Sequence, residues 1–439
     1  MSQPKTGTRL AFQAQDYTRI AESLRSTDEL LAGGYPGDDG SRQPVHTVYV
    51  PADTFTPDLG AEWGRLALAA VAAEGGLEQL AERLGLDNPA TLAALVSAKL
   101  SAEPIEDLRL DFEDGYGTRP DADEDAHAIA AGRKVALAAA AGTAPPFIGI
   151  RFKSLEAATR DRGLRTLDLF VSSLLEGAAD GSSPHASTLP DGLILTLPKV
   201  STVAQVEAMA YACGRLEEAH GLPGGRLRFE VQMETPQLIV GADGTVPVAQ
   251  LIHAGGGRVS ALHYGTYDYS AALGIAAAHQ SMEHPAADYA KAVMLVAAAG
   301  TGVRLSDGST NILPIGSPEN IHRAWALHAR LVARSLAAGY YQGWDLHPAQ
   351  LPTRFLATYG FYRSGFAAAA ARLKNYVHKL ESTILDEPAT ARALARFIHR
   401  GLACGALTEA EVTDAAGVSP EELARLAHPQ VPNRSGSNQ

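Results

Sequence analysis

At 439 residues the chain exceeds one ordinary compact domain but fits a barrel of roughly 250–300 residues with extensions, and its 46% hydrophobic and 20% charged shares exclude wholesale disorder or a fibrous repeat. The formal net charge of −12 argues against a nucleic-acid binder, since neutralising phosphates takes a concentration of Lys and Arg, and leaves small molecules, acidic ones included, as the expected partners. Apolar stretches such as Ala292–Gly300 fall short of the ~20 residues a membrane span needs, Met1–Thr8 lacks an apolar leader segment, and Cys213 and Cys404 form no metal or disulfide pattern. The expectation is a cytoplasmic protein with no membrane partner; a homo-oligomer is admissible.

In chain order, 1–44 reads as an N-terminal extension and 45–351 as alternating β-rich runs and Ala/Leu-rich helical stretches, the pattern of repeated βα units around a parallel sheet. The predicted strands are Val45–Val50, Asp107–Asp111, Phe147–Phe152, Leu193–Leu197, Leu227–Met233, Val259–Tyr264, Gly302–Leu305 and Gly343–Leu346. Eight strands predict an α/β fold, a closed (β/α)8 TIM barrel. The long helical stretch at about 57–100 is read as an insertion packed outside the barrel, and 352–439 as a C-terminal helical segment broken near Asp386-Glu387-Pro388 and Gly401–Gly405.

In such barrels chemistry sits at the C-terminal strand ends, so polar residues directly after an apolar run carry the functional signal. Leu110-Asp111-Phe112-Glu113-Asp114-Gly115 crowds three carboxylates at the second strand's end, which is unfavourable without a cation or hydrogen-bond donors; the alternative is a set of turn and cap residues. In Phe229-Glu230-Val231-Gln232-Met233-Glu234, the polar residues alternate onto one face, which a barrel turns inward with Glu234 at the rim. His263-Tyr264-Gly265-Thr266-Tyr267-Asp268 ends the sixth strand, and Asp268 is either a helix cap or, with Glu234, one of two carboxylates from adjacent strands around a hard divalent cation. Arg151, closing Phe147-Ile148-Gly149-Ile150, is a fork for a substrate oxygen or a rim ion pair to Glu113 or Asp114.

Taken together and in order, these segments resemble the citrate lyase beta subunit / malate synthase superfamily, Mg²⁺-dependent barrels that also include the HpcH/HpaI 2-oxo-acid aldolases. Val48-Tyr49-Val50-Pro51-Ala52 looks like that family's first strand, Leu110-Asp111-Phe112-Glu113-Asp114 like its acidic second-strand motif, and Leu197-Pro198-Lys199 like its fourth-strand ending. Trp344-Asp345-Leu346-His347-Pro348-Ala349-Gln350 is similar to its eighth-strand His-Pro-x-Gln signature, and Leu385-Asp386-Glu387-Pro388 to its C-terminal catalytic segment. The likeness spans about 45–400. It departs at Gly115-Tyr116-Gly117, where lyases continue apolar, and at the insertion before Asp107.

The resemblance implies Mg²⁺ (or Mn²⁺) on Glu234 and Asp268, with Arg151 as a second electrophile and Asp386 as the proton-transferring base. Glu387 competes with Asp386 because the malate synthase-like alignment of Ala389-Thr390-Ala391 shifts the register by one. Glu113, Asp114, Pro198, Lys199, Gly265 and Thr266 would line the substrate or hold metal-bound water. The implied activity is carbon–carbon cleavage or formation on 2-oxo or hydroxy acids, or on their coenzyme A thioesters. Rival readings are an aldolase on free pyruvate-like acids, disfavoured because Asp114 stands where those enzymes carry His, a barrel that binds a metabolite without catalysis, and a Schiff-base role for Lys199.

Overall fold

The computed structural model describes residues 11–179, 189–380 and 387–429. Eight parallel strands form one sheet: β1 His46–Pro51, β2 Asp107–Asp111, β3 Phe147–Arg151, β4 Leu193–Leu197, β5 Arg228–Met233, β6 Val259–Tyr264, β7 Arg304–Ser306 and β8 Gly343–Asp345. Neighbours in sequence pair in parallel from β1 to β7, with a register shift at Phe229/Glu230 between β5 and β6, and β8 pairs with β1. The last seam, β7 to β8, is a single bridge between Ser306 and Gln342, with the Asp307 amide donating to the Gln342 carbonyl (2.8 Å) and the Trp344 amide to the Gly308 carbonyl (3.3 Å). The expected (β/α)8 barrel is thus the observed architecture.

Every strand lies where the apolar runs placed it, with small differences of cause. β7 starts two residues later than expected because Gly302, at φ +78°, belongs to the preceding turn. β8 ends at Asp345 because the Gln350 side chain takes the amides of Leu346 (2.8 Å) and His347 (3.2 Å), turning the chain into the helix that follows. Thus His-Pro-x-Gln is an end-cap here, and Gln350 also donates to the Thr310 carbonyl (3.2 Å), tying the two seam loops together.

The barrel interior is a polar plug. Arg109 donates to both oxygens of Glu230 (3.1 and 2.7 Å) and to Thr196 (3.0 Å), and it also pairs with Asp107. Thr47 donates to Asp107 (2.9 Å) and His263 Nε2 lies 3.1 Å from Glu230. All of these side chains are buried. Burying such charges is tolerable only because each has partners on neighbouring strands. Of the alternating polar face of β5, Glu230 and Gln232 therefore belong to this interior and Glu234 to its rim.

Outside the barrel, helices Leu59–Ala73, Gly76–Arg83 and Pro89–Ala102 occupy the stretch read as an insertion, the last packing on the long helix Leu351–His378. That long helix joins two cores: Phe355, Leu356 and Tyr359 pack with the barrel, while Ala370 and Leu373 pack with Ala395, Ile398, Val412 and Leu423 of helices Pro388–Ala403, Glu409–Ala416 and Pro420–Ala427. The N-terminal helix Ala14–Gly34 buries none of its residues. No described helix is long and apolar enough to cross a membrane.

Candidate active site

Parallel strands deliver their C-terminal ends to one mouth, so residues far apart in sequence meet there. Asp111 at the end of β2 accepts from Arg151 Nε and Nη2, both at 2.7 Å, and its other lone pairs take the amides of Glu113 (3.0 Å) and Gly115 (2.8 Å). This bidentate clamp is what the crowded Asp-Phe-Glu-Asp motif does first: it fixes Arg151. The third guanidinium nitrogen, Nη1, lies 3.3 Å from Glu113, and the guanidinium stacks 4.9 Å over the Tyr49 ring, itself packed 4.6 Å from Trp344. Gln232, its amide nitrogen turned to Glu234 Oε1 (3.3 Å) and its oxygen to Arg151 Nη1 (3.3 Å), links β5 to β3. Arg151 points into the mouth, but the fork expected to be open for a substrate carboxylate is occupied by Asp111, leaving Nη1 as the edge nearest the mouth.

Lys199 follows β4 in a left-handed conformation (φ +50°), unusual for a residue with a side chain. The conformation aims its amide at Glu234 Oε1 (2.6 Å) and its ammonium at Glu113 (2.9 Å), Asp114 (3.0 Å) and Asp268 (3.7 Å). Burial alone would lower its pKa, yet the carboxylates around it outweigh burial and raise it. An ammonium held protonated in this way is a poor Schiff-base nucleophile, which weighs against that reading.

Glu234, at the rim beyond β5, is almost fully buried; burial, then the charge of Asp268, pushes its carboxyl up to about 7, against the pull of Arg151 and Lys199. Gly265, at the end of β6, makes this packing feasible, because a Cβ there would stand 2.6 Å from that of Glu234. Asp268 lies in the first turn of the short helix Thr266–Ala272 with its side chain half exposed toward the mouth. Thr266 is buried with its hydroxyl unpartnered, and Pro198 is buried at the β4 exit. Burial raises Glu113; for Asp114 the same effect is outweighed by Lys199, which lowers it.

Glu113, Asp114, Arg151, Pro198, Lys199, Glu234, Gly265, Thr266 and Asp268 thus all lie at or just behind one mouth. Asp386 lies outside the described residues, and its neighbour Glu387 is an exposed residue in extended conformation ahead of helix Pro388–Ala403. Sequence reasoning gave Tyr49 no role at the site, and it named Asp111 only as one of three crowded carboxylates and Gln232 only as an inward-facing polar residue. Their signal was the period-two alternation of β1, β2 and β5, which puts Tyr49 and Gln232 on the inward face.

Five carboxylates here (Asp111, Glu113, Asp114, Glu234, Asp268) face two cations, Arg151 and Lys199, a surplus that a divalent cation would relieve. Among the described residues no group of three His, Cys, Asp or Glu side chains is placed to hold a metal alone. Carboxylate oxygens are the donors a hard ion such as Mg²⁺ takes, and Glu234 and Asp268 are the two expected from the sequence to offer them.

The family model of DUF6986, a domain of unknown function, matches residues 24–431. The chain belongs to the DUF6986 family. No curated protein matches this DUF6986 member. Among solved structures, a citrate lyase from Burkholderia xenovorans LB400 is similar at a TM-score of 0.57 and 18% identity, over 86% of this chain and 98% of that one. Two further structures are less similar. The protein CitE from Mycobacterium tuberculosis, in complex with magnesium, acetoacetate and coenzyme A, has a TM-score of 0.46 and 17% identity over 83% and 99%. A Haloferax volcanii malate synthase in a magnesium/glyoxylate complex has 0.47 and 13% over 88% and 97%. The DUF6986 chain shares its fold with the citrate lyase.

Proposed function

We propose that the protein is a divalent-metal-dependent carbon–carbon lyase or synthase acting on small 2-oxo or hydroxy acids or their coenzyme A thioesters. The observation that carries this reading is the convergence of Glu234, Asp268, Glu113 and Lys199 at the C-terminal mouth with negative charge in surplus. A cation held by Glu234 and Asp268 would supply Lewis-acid polarisation of the substrate's carboxylate and carbonyl or hydroxyl oxygens.

The chain's own residues take the remaining roles. Lys199, kept protonated by its carboxylates, directs a fixed positive charge at an oxygen gaining charge in the transition state. Arg151, immobilised by Asp111, can offer only Nη1. Glu113 and Asp114 position Lys199 and accept from bound water. Tyr49 and Trp344 close the floor of the mouth beneath Arg151 and limit water from below. Asp386, by its place in Leu385-Asp386-Glu387-Pro388, moves the proton on the fragment that becomes or ceases to be an enolate.

The test combines calorimetric titration of Mg²⁺ and Mn²⁺ with a turnover screen of acyl-CoA thioesters and free 2-oxo acids, with and without metal. Metal-dependent turnover that disappears in Glu234→Gln supports the reading. Unchanged Mg²⁺ affinity in both Glu234→Gln and Asp268→Asn would overturn it. If Asp386→Asn turns over normally and Glu387→Gln does not, the base is Glu387.

A further inference from the structure

The opposite, N-terminal mouth of the barrel is not closed. A cavity of about 1020 Å³ opens there, walled by the first residues of β3 to β7 (Phe147, Leu193, Arg228, Val259 and Arg304) and by the chain at 33–42. A space of this size is at the upper end of small-molecule sites.

Four guanidiniums line it. Arg42 is paired behind the wall with Glu103 and Glu106, its Nε buried and without a partner. Arg226 donates to the carbonyls of Leu189 (2.9 Å) and Pro190 (2.5 Å), and Arg304 to the carbonyl (3.2 Å) and hydroxyl (2.5 Å) of Ser41. Those hydrogen-bond partners are neutral, and the carboxylates that act on these charges, Asp191 and Glu217 for Arg226 and Asp39 and Asp38 for Arg304, do so without an ion pair among the described residues. Arg228, exposed at the start of β5, makes no hydrogen bond or ion pair among the described residues. Ser260, also on the wall, has a buried hydroxyl with no partner. The opposing charges on the lining are Asp39 and Asp191, and Asp39 already accepts from the amide (2.9 Å) and hydroxyl (2.5 Å) of Ser41. Burial lowers the pKa of Arg304, Asp39 and Asp38 pull it back up, and Arg228 adds a smaller repulsion, so an anion between the two arginines would relieve part of the desolvation and that repulsion.

We propose that this cavity is a second ligand site, for a small phosphorylated metabolite whose phosphoryl group sits on Arg228 and Arg304 and whose organic part lies against Ile194, Ile252 and Val259. Guanidinium forks match phosphoryl oxygens, and two of them balance a dianion where a monocarboxylate would leave one unpaired. Glycines 256, 257 and 302, all at positive φ, leave the rim without side chains, giving a phosphoryl group room to approach the backbone. The site is separated from the carboxylate mouth by the Asp107–Arg109–Glu230 plug, so its occupant is distinct from the substrate proposed above.

The experiment is calorimetric titration of the full chain with inorganic phosphate, glycerol 3-phosphate and AMP, with acetate as control. Measurements run on the wild type, Arg228→Gln and Glu234→Gln, each also checked for melting temperature. The expected result is binding of the organic phosphates more tightly than inorganic phosphate and no binding of acetate. Affinity should fall at least tenfold in Arg228→Gln with the melting temperature unchanged, and stay at the wild-type value in Glu234→Gln. Absence of binding by all three phosphates overturns the proposal, as does equal affinity in Arg228→Gln. Loss confined to Glu234→Gln overturns it too, by moving the phosphate to the other mouth.

Discussion

At the C-terminal mouth Asp111, Glu113, Asp114, Glu234 and Asp268 meet two cations, whereas at the N-terminal mouth Arg226, Arg228 and Arg304 meet Asp39 and Asp191. Between these two ends of opposite sign lies a plug whose charges are paired within hydrogen-bonding distance. The contrast shows how one barrel can carry two electrostatic environments without either collapsing into the other. Screening by a filled, hydrogen-bonded interior is cheaper than an open channel, in which solvated charges of opposite sign would face each other. It also assigns different work to similar groups: Arg109 is structural because each of its three nitrogens is bonded inside, while Arg228 makes no hydrogen bond or ion pair among the described residues and can turn its donors to a ligand.

The comparison can be broken most sharply at the acidic end. Glu234→Gln is expected to abolish measurable turnover and lower Mg²⁺ affinity by at least roughly tenfold, while leaving phosphate binding untouched; calorimetry on both ligands checks it. Next in size is the plug. Arg109→Met strands Glu230 and Asp107 as buried charges and should cost about 3–5 kcal/mol in urea unfolding. A loss below about 1 kcal/mol would mean that the plug is hydrated and that the two mouths communicate.

The plug also sets a pH response. Burial holds His263 at about 4, against the pull of Glu230, whereas an unfolded His titrates near 6.5. Between those values the unfolded chain takes the proton and the folded chain does not, so this group's contribution is present above pH 6.5 and is lost as pH falls toward 4, about 3 kcal/mol in all. Asp107, pushed up to about 6 by burial, works the other way: from pH 6 down to 3.8 the folded state takes the proton first and is stabilised. His263→Gln should therefore show a shallower loss of stability from pH 6.5 to 4 than the wild type, read from urea midpoints across that range.

Smaller still, Gly265→Ala places a methyl 2.6 Å from the Glu234 Cβ and should cost about 1–3 kcal/mol, with a parallel loss of Mg²⁺ affinity as Glu234 is pushed aside. The smallest effect is at the basic end: Arg228→Gln removes an exposed side chain with no hydrogen bond or ion pair among the described residues and should leave stability within about 0.5 kcal/mol. A large destabilisation there would mean that the basic mouth holds the barrel together and does not wait for a ligand.

Much of this was legible in the chain itself. The eight apolar runs announced eight strands because a parallel sheet covered by helices demands near-continuous Val, Ile and Leu, and the carboxylates after β2, β5 and β6 stood out because charge directly after such a run has nowhere to go but a mouth. The order of those motifs also carried the family likeness. The clamp of Asp111 on Arg151 was not legible: the alternatives named for that arginine were Glu113 and Asp114, and only the parallel register of β2 on β3 sets residue 111 opposite residue 151. Nor was the ammonium of Lys199 among three carboxylates, which depends on a left-handed backbone that an unremarkable Leu-Pro-Lys does not signal. The basic mouth is the clearest case. Arg42, the close pair Arg226 and Arg228, and Arg304 come from three separate stretches of the chain and form no recognisable motif, because local pattern fixes which way a side chain leaves its own strand. Which other side chains it meets is settled only when β7 closes on β8 and every strand start is drawn into one ring.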